Sequence, residues 1–418
     1  MITVIISYIL YLSIQNLKKG EKLKKILLVI VTIVFTLSSC TLKNEKAKDL
    51  ILNEDKKIIA TWITYYEIYE LVECSEKETD FQKNVRDKII ILKQYDINTI
   101  FLHVRAFDDC FYRSKYFPVS IYCADKNGEL KFDVLQIFID ICREYDIDVH
   151  AWINPYRIRN DTDVNKISDD SLAKEFISDN RFENIIITET CITYNPASTE
   201  VQKYIVNGIK EILDNYNVAG IHIDDYFYPD DLNEGDIELF NKYQNNGGHL
   251  SLVDYRRTNI NSLISSIYCL VKSYDSNLIF SISPNADIEK NYSNYYADVR
   301  LWLQEEGYID YIIPQIYYGY ENEFLPFENV LNDWIRINEN KIIIGLGLYK
   351  AGHKDEFAGT GRDEWINNND VIFRQMKEIF NRSLKGISIF SASNLYEETD
   401  NANLRNEQKS IKEIMEIL

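Results

Sequence analysis

The chain has 418 residues, and its 65 acidic and 46 basic side chains give a formal net charge of −19. This balance argues against binding to nucleic acid, or to anionic lipid headgroups through a basic face, because both depend on clustered Lys and Arg. Hydrophobic residues make up 46% of the chain, which is ordinary for a globular protein. The length of 418 residues allows two or three small domains, or one large α/β barrel.

The N-terminal segment has the parts of a secretory signal. Five lysines between residues 18 and 25 precede an uninterrupted apolar run at residues 26–37. A basic stretch, a short apolar run and small residues before a cleavage point are typical of an exported precursor. The run is short for a transmembrane span. The last residue of the run and the three residues after it resemble the lipobox of bacterial lipoproteins, in which the cysteine is lipidated: Leu37-Ser38-Ser39-Cys40.

This pattern divides the chain into three parts. We predict a lipoprotein signal peptide over residues 1–39, with an N-terminal extension as one alternative, a short tether over 40–56 and one domain over 57–418. The mature protein is then expected at the extracytoplasmic face of the cell membrane, held by lipid on Cys40. A plain transmembrane anchor that includes the apolar run at residues 2–14 is the competing interpretation.

The domain is predicted to be α/β, because short β-rich runs alternate with segments of helical period. Eight such units favour a single closed (β/α)8 barrel, the TIM barrel, over an open sheet. Long β→α loops at residues 157–192, 226–254 and 349–369 are expected to wall a groove at its C-terminal face. The predicted strands are residues 58–65, 99–105, 148–154, 220–225, 278–284, 311–317, 341–348 and 386–391.

The strands alternate between an aliphatic face and a face that becomes polar toward the carboxyl end. Because side chains alternate across a strand, the polar set should converge on the barrel mouth, where active sites of this fold lie. We interpret His103, His150 and Trp152 as packed interior residues. The side chains expected at the mouth are Arg105, Asn154, Asp224, Asn285, Gln315 and Tyr317.

The fourth strand ends in Asp224 and Asp225, which three aromatic residues follow. Glycoside hydrolysis needs one carboxyl group to protonate the leaving oxygen and a second group to stabilise the positive charge that develops on the sugar. Aromatic rings offer flat apolar faces to sugar rings. Asp224 lies on the inward phase, and we predict that both aspartates are catalytic residues of a glycosidase. Asp-Asp is also common as a turn or helix cap.

Eight stretches of the chain resemble the glycosyl-hydrolase-like family 10 of bacterial exported proteins. The resemblance implies a (β/α)8 barrel and action on cell-envelope glycan, such as peptidoglycan strands. The chain departs from the family pattern at Ala219 and at Ala106-Phe107-Asp108. The matching stretches are NTIFLHVR at 98–105, YFP at 116–118, HAWINPYR at 150–157, NP at 195–196, GIHIDDYFYP at 220–229, SISP at 281–284, PQIY at 314–317 and IGLG at 344–347.

Paired acids at the end of the fourth strand also resemble those of substrate-assisted hexosaminidases, in which the N-acetyl oxygen of the substrate attacks the anomeric carbon. No acid ends the seventh strand, where many retaining barrels keep a nucleophile, and this makes such a route plausible. We predict Gln315 and Tyr317 as donors near the N-acetyl group, and Asn154 and Arg105 as binders of hydroxyl or lactyl oxygens. Arg105 as a structural partner of an aspartate is the alternative. The remaining predicted substrate contacts are Tyr156, Tyr226 and Asn285.

Two other classes of function stay open. One is a non-catalytic glycan-binding lipoprotein whose acids are structural. The other is a metal hydrolase using His222, Asp224 and Asp225, which is disfavoured because no HExxH-type spacing is present. We predict no cofactor and no metal, a polysaccharide substrate, no nucleic acid partner and a lipid-mediated membrane contact. The oligomeric state is not specified by these patterns.

Replacement of Cys40 tests the predicted lipid anchor. Cys40→Ala should leave an uncleaved precursor or release the protein from the membrane, because the residue that would carry the lipid is gone. Membrane fractionation and the mass of the purified protein are the measurements. A Cys40→Ala protein that is still processed and membrane-bound would contradict the prediction.

Overall fold

The computed structural model describes residues 57–382 and 384–416. The predicted signal peptide, Cys40 and the tether lie outside these residues. Within them, no helix is long and apolar enough to cross a membrane.

Eight parallel strands form one curled sheet, as the alternation of strands and helices predicts. All eight predicted strands are present, and most end before the predicted carboxyl end. Their order in the sheet is β10-β11-β1-β2-β3-β7-β8-β9. They are β1 (Ile58–Ile63), β2 (Thr99–Arg105), β3 (Asp148–Ile153), β7 (Gly220–Ile223), β8 (Ile279–Ile282), β9 (Tyr311–Ile312), β10 (Ile344–Gly347) and β11 (Gly386–Phe390).

The two end strands of this order, β9 and β10, are linked by isolated parallel bridges. Ile312 pairs with Ile342, and Gln315 pairs with Gly345. The backbone N–H of Ile343 donates to Ile312 O at 3.0 Å. The curled parallel sheet is consistent with a TIM-barrel-like fold.

Helices follow the strands and pack their apolar faces on the sheet. In α5 (Thr199–Asn215), apolar residues recur at helical spacing and are fully buried: Val201, Ile205, Ile209 and Ile212. This helix begins after Ser198, whose side chain accepts from Val201 N. The α-helices are α1 (Tyr65–Glu73), α2 (Glu78–Lys93), α3 (Val134–Glu144), α4 (Leu172–Ser178), α5 (Thr199–Asn215), α6 (Ile237–Asn245), α7 (Leu252–Tyr274), α8 (Ile288–Ser293), α9 (Val299–Gln304), α10 (Phe327–Asn338), α11 (Glu364–Asn367), α12 (Val371–Asn381), α13 (Ser393–Tyr396) and α14 (Ala402–Met415).

The segment after β3, predicted as a long loop, contains a small antiparallel sheet. Its strands are β4 (Arg157–Arg159), β5 (Ile185–Ile187) and β6 (Ile192–Tyr194), in the order β4-β6-β5. Tyr194 N donates to Tyr156 O at 2.8 Å. The sheet therefore holds the chain rigidly where it leaves β3.

The interior of the curled sheet carries a core of its own. Aromatic and aliphatic side chains fill it, separate from the larger core between the sheet and the helices. The packed-interior interpretation of His103, His150 and Trp152 agrees with their exposures of 2%, 3% and 6%. The buried members of this inner core are Ala60, Trp62, Phe101, Trp152, Tyr311, Ile313 and Ile343.

Glu67 of α1 ties the end of β1 to the end of β11. Its Oε2 atom accepts from Thr64 N at 2.6 Å and from Thr64 Oγ1 at 2.7 Å. Its Oε1 atom accepts from Ser391 Oγ at 2.9 Å and from Ser393 N at 2.6 Å. Glu67 is 1% exposed, so water cannot take the place of its carboxylate as the acceptor for these donors.

Removal of this carboxylate should destabilise the fold. Glu67→Ala leaves the buried donors of Thr64 and Ser391 and the half-buried N–H of Ser393 without their acceptor. Each unsatisfied buried group costs about 1–3 kcal/mol. The free energy of unfolding from urea titration is the measurement. Glu70→Ala on the exposed side of the same helix is the matched control and should change it little. Equal stability of the two variants would contradict this role of Glu67.

Candidate active site

A cavity of about 320 Å³ opens at the carboxyl ends of the parallel strands. We call it the acid cavity, because Asp224 and Asp225 both line it. Of the residues predicted at the mouth, it also contains Gln315 and Tyr317, together with the predicted contact Tyr226. The other lining residues are Trp62, Thr64, Tyr65, Tyr66, His103, Trp152, Arg157, Ser283, Tyr349 and Phe390.

Asp224 follows β7 directly and is 4% exposed. The indole N–H of Trp152 donates to its Oδ2 atom at 3.3 Å. Tyr226 N donates to its Oδ1 atom at 3.3 Å. Both oxygens are thus held, and the carboxyl group has a defined orientation in the cavity. Asp225 is less buried and also lines a second cavity of about 540 Å³, which contains Asp230 and Tyr295.

Burial and mutual repulsion make the two carboxyl groups hard to ionise. The pKa of Asp224 is raised, first by burial and then by the charge of Asp225. Burial also raises the pKa of Asp225. The positive charge of Arg157 opposes both rises in pKa. The pair therefore tends to hold a proton at a pH where exposed aspartates have lost theirs.

Arg157 is fixed beside the acids by contacts on three sides. Its Nε donates to Ala106 O at 2.7 Å. Its guanidinium lies over the rings of Phe107 and Tyr226, 4.7 Å and 4.2 Å from their centroids. It is 8% exposed. This buried cation was not singled out as a site residue from the sequence, although it closes the stretch HAWINPYR; its position depends on the turn after β3.

A neutral histidine underlies the acids. His222 Nε2 lies 3.1 Å from the indole nitrogen of Trp62 and 3.0 Å from Ser283 Oγ, and its Nδ1 lies 2.9 Å from Ser281 Oγ. Because an indole N–H can only donate, Nε2 must accept, and the ring proton is on Nδ1. Burial lowers the pKa of His222 well below its ordinary value. His222 is therefore engaged on both nitrogens and uncharged.

A second histidine, His103, packs flat on Trp152 with ring centroids 3.6 Å apart. Burial and the charge of Arg157 lower its pKa well below the ordinary value. His103 and Trp152, interpreted from the sequence as interior only, also line the acid cavity. Trp152 additionally orients Asp224, and no feature of the sequence distinguishes this contact from ordinary packing.

Gln315 and Tyr317 occupy the opposite wall. Gln315 Nε2 donates to Ser283 O at 2.8 Å. The Tyr317 ring packs against Phe390 and Tyr349, with centroids 5.7 Å and 5.9 Å away. Burial raises the pKa of Tyr317 well above its ordinary value. Its hydroxyl is therefore a neutral hydrogen-bond donor at the cavity wall.

Four predicted contacts do not line the acid cavity. Arg105 is 1% exposed, and its guanidinium lies 3.7 Å from the centroid of Phe117. The register of β2 on β3 shifts between His103 and Arg105. Arg105 therefore pairs with Ile153, whose side chain packs in the helix-facing core. The bulge thus moves Arg105 off the inward phase.

The other three are held by local contacts. Asn154 is 1% exposed and its Nδ2 donates to Ala106 O at 3.2 Å. Tyr156 is fully buried in the core between sheet and helices. Asn285 Oδ1 accepts from Asp287 N at 2.9 Å, just before α8.

The disfavoured metal site finds little support in these side chains. Both ring nitrogens of His222 are engaged by Trp62, Ser281 and Ser283. Within residues 57–382 and 384–416, no group of three or more His, Cys, Asp or Glu side chains is arranged to hold a metal ion.

Comparison with known proteins agrees with the motifs. The family model described as Glycosyl hydrolase-like 10 matches residues 57–357. The chain belongs to this family. This member of the glycosyl hydrolase-like 10 family is 28% identical to glycosyl hydrolase YngK of Bacillus subtilis over 338 residues, which cover 75% of this chain and 64% of YngK. The chain thus spans less than two thirds of the length of YngK.

A second relative of this family member is glycosyl hydrolase DigH of Escherichia coli, at 28% identity over 69% of this chain and 70% of DigH. Among solved structures, the glycoside hydrolase domain of PgaB (BpsB) from Bordetella bronchiseptica aligns with a TM-score of 0.52 and 11% identity, over 86% of this chain and 98% of that chain. That likeness concerns the fold. The family model thus shows membership of a glycosyl hydrolase-like family.

The raised pKa values predict a pH-dependent gain in stability for Asp224→Asn. The carboxyl group of Asp224 has a higher pKa in the folded protein than in the unfolded chain, where it is about 4. Its contribution to stability is complete below a pH of about 4 and is lost as pH rises through the folded-state pKa. Asn removes the buried charge, so Asp224→Asn should be more stable than wild type near neutral pH and not in acid. Each unit of pKa shift corresponds to about 1.4 kcal/mol.

Urea unfolding of both proteins at acidic and at neutral pH measures this gain. A difference in stability that is the same at both pH values would contradict the raised pKa of the pair.

Proposed function

We propose that the protein is a glycoside hydrolase acting on N-acetylhexosamine-containing cell-envelope glycan, such as peptidoglycan strands, in a closed (β/α)8 barrel. The observation that carries this proposal is the pair of buried carboxyl groups, Asp224 and Asp225, in a cavity walled by aromatic side chains. Membership of the glycosyl hydrolase-like 10 family supports the class of reaction. The names of YngK and DigH agree with it.

The two acids are proposed to have different roles because they face different spaces. A glycosidic oxygen lies between two sugars, so its proton donor must reach the boundary between two subsites. Asp225 lines both the acid cavity and the neighbouring cavity that contains Asp230, whereas Asp224 lines the acid cavity and not that neighbouring one. We assign the acid/base role to Asp225 and the stabilising role to Asp224.

The reaction then follows the substrate-assisted route. The N-acetyl oxygen of the substrate forms a bond to the anomeric carbon, the glycosidic C–O bond breaks, and its electron pair goes to the leaving oxygen, which takes the proton from Asp225. The Asp224 carboxylate stabilises the positive charge of the cyclised sugar. Water then attacks the anomeric carbon, the bond between that carbon and the N-acetyl oxygen breaks and its electron pair returns to the oxygen. Asp225 takes a proton from the attacking water, so the acid is restored and the anomeric configuration is retained.

Substrate binding sets which acid holds the proton. In the free protein the buried pair resists double ionisation. A substrate amide N–H that donates to Asp224 favours its ionised form and leaves the proton with Asp225. Gln315 and Tyr317 line the acid cavity, and we propose that they contact the N-acetyl group. Tyr226 and Arg157 line both cavities.

Arg105, Asn154, Tyr156 and Asn285 are proposed to support the site indirectly. Asn154 and Arg157 both donate to Ala106 O. Asn154 therefore helps to fix the Ala106 carbonyl group, which is the acceptor for Arg157. We keep the lipid anchor on Cys40 and the extracytoplasmic location as proposals that rest on the signal-like N-terminus alone.

The acids provide the test of this function. Asp225→Asn should reduce kcat by about 10²–10⁴-fold, the usual contribution of general acid/base catalysis. Asp224→Asn should reduce kcat by about 10²–10³-fold, the usual contribution of a group that stabilises charge in the transition state. Glycan binding should survive, because charge stabilisation in the transition state acts mainly on kcat. Reducing ends released from peptide-free peptidoglycan strands and from N-acetylglucosamine oligosaccharides, with products identified by mass spectrometry, are the measurements.

Asp214→Asn is the matched control, because this aspartate lies exposed on α5 and pairs with Lys210. It should keep wild-type turnover. Near-normal turnover by Asp224→Asn would contradict the assigned chemistry. Binding of glycan by a wild-type protein that releases no product would favour the non-catalytic glycan-binding alternative.

A further inference from the structure

A larger cavity of about 580 Å³ adjoins the acid cavity. Tyr65 lines both, so the two spaces share a wall. We call the larger space the Asp109 cavity, defined by Tyr65, Phe107, Asp108, Asp109, Ile121 and Tyr122. Its volume lies within the range of small-molecule binding sites. None of the residues to which the proposed reaction assigns a role lines this cavity.

Aromatic rings form one side of the Asp109 cavity. The rings of Phe107 and Tyr122 lie nearly parallel, with an interplanar angle of 27° and centroids 6.4 Å apart. Tyr65 packs against both, at 5.3 Å and 5.0 Å. Ile121 stands at the rim with 77% of its surface exposed. Such apolar faces suit the C–H faces of a sugar ring.

Most charged groups of this cavity already have partners. The Arg159 guanidinium binds both oxygens of Asp161, at 2.9 Å and 2.6 Å. Lys166 lies 3.6 Å from Asp163. Asp108 accepts from the hydroxyls of Tyr194 and Tyr204, at 2.6 Å and 3.3 Å.

Asp109 differs from these groups. Its Oδ1 atom is buried and has no hydrogen-bond partner among the described residues. Burial raises the pKa of Asp109 to about 6, and the Ser120 side chain and the Phe107 backbone oppose this rise; most of the carboxyl groups are therefore ionised at neutral pH. A buried acceptor without a donor is costly, and a ligand toward whose donor the Asp109 carboxylate turns would remove that cost.

We propose, on the basis of the proposed function, that the Asp109 cavity is a second sugar subsite. The glycan residue next to the one in the acid cavity packs on Phe107 and Tyr122 and donates a hydrogen bond to Asp109. The donor is an O–H or N–H of the sugar. It belongs either to a neutral group, a hydroxyl or an amide, or to a free amine. The subsite makes Asp109 a determinant of substrate length and substitution.

Chain-length dependence tests this subsite. For wild type, kcat/KM should rise from the disaccharide of N-acetylglucosamine to longer chains that reach the Asp109 cavity. Asp109→Ala should lower kcat/KM for the longer chains by about tenfold or more, the loss expected when a hydrogen bond to a charged group is removed. The loss should appear in KM with kcat nearly unchanged, because this contact is made equally in the ground state and the transition state.

The conservative variant identifies the donor. Asp109→Asn keeps an acceptor oxygen and loses the charge. If the sugar donates from a hydroxyl or amide, Asp109→Asn should recover much of the affinity lost in Asp109→Ala. If the donor is a cationic amine, both variants should lose affinity equally, and wild type should prefer partially de-N-acetylated chains.

Two further variants separate binding from folding. Ile121→Ser changes an exposed rim residue, so it should leave the fold intact and still raise KM for the longer chains. Asp125→Asn is the matched control: this aspartate is half-buried like Asp109, belongs to the same segment after β2, and lines neither cavity. It should behave as wild type. Thermal melting confirms that each protein is folded.

The outcomes distinguish the subsite from the proposed function. Wild-type chain-length dependence in folded Asp109→Ala and Ile121→Ser would overturn the subsite, while an inactive Asp224→Asn would leave the hydrolase proposal standing. If Asp224→Asn stays active, the stabilising role assigned to Asp224 is wrong, and the Asp109 variants still test the subsite on the same chains. Failure of wild type to bind or cleave any chain would overturn both.

Discussion

The site depends on the cost of burying two adjacent carboxyl groups at the end of β7. Asp224 is 4% exposed and has Asp225 as its neighbour, so each charge is poorly hydrated and the two repel. The structure offsets part of this cost with the indole N–H of Trp152, the backbone N–H of Tyr226 and the charge of Arg157. The remainder keeps the pair ready to hold a proton, which is the property that acid catalysis needs.

The residues beneath the acids give them a rigid and uncharged floor. His222 is fixed by Trp62 and two serines, and its tautomer follows from the indole donor. A cationic histidine there would pull both aspartates toward the ionised form. The low pKa of buried His222 prevents this. Rigidity of the floor and the high pKa of the acids therefore have one cause, the exclusion of water from the interior of the sheet.

The pattern of side chains predicts much of this arrangement. The alternation in the fourth and sixth strands correctly indicates that Asp224, Gln315 and Tyr317 face one space, because side-chain direction follows a period of two along a strand. The same rule fails for Arg105, since a bulge in β2 adds one residue to the count and turns the side chain toward the helices. A bulge leaves no mark in the pattern of apolar and polar residues.

The sequence by itself determines the order of strands and helices, the family and the acids at the end of the fourth strand, because all of these are written in local periodicity and short motifs. Only the tertiary structure decides that Arg157 enters the acid cavity and that Asp109 faces a separate one. Arg157 reaches the acids because a small antiparallel sheet bends the chain after β3. Such positions depend on contacts between segments far apart in the chain, and local pattern carries no information about them.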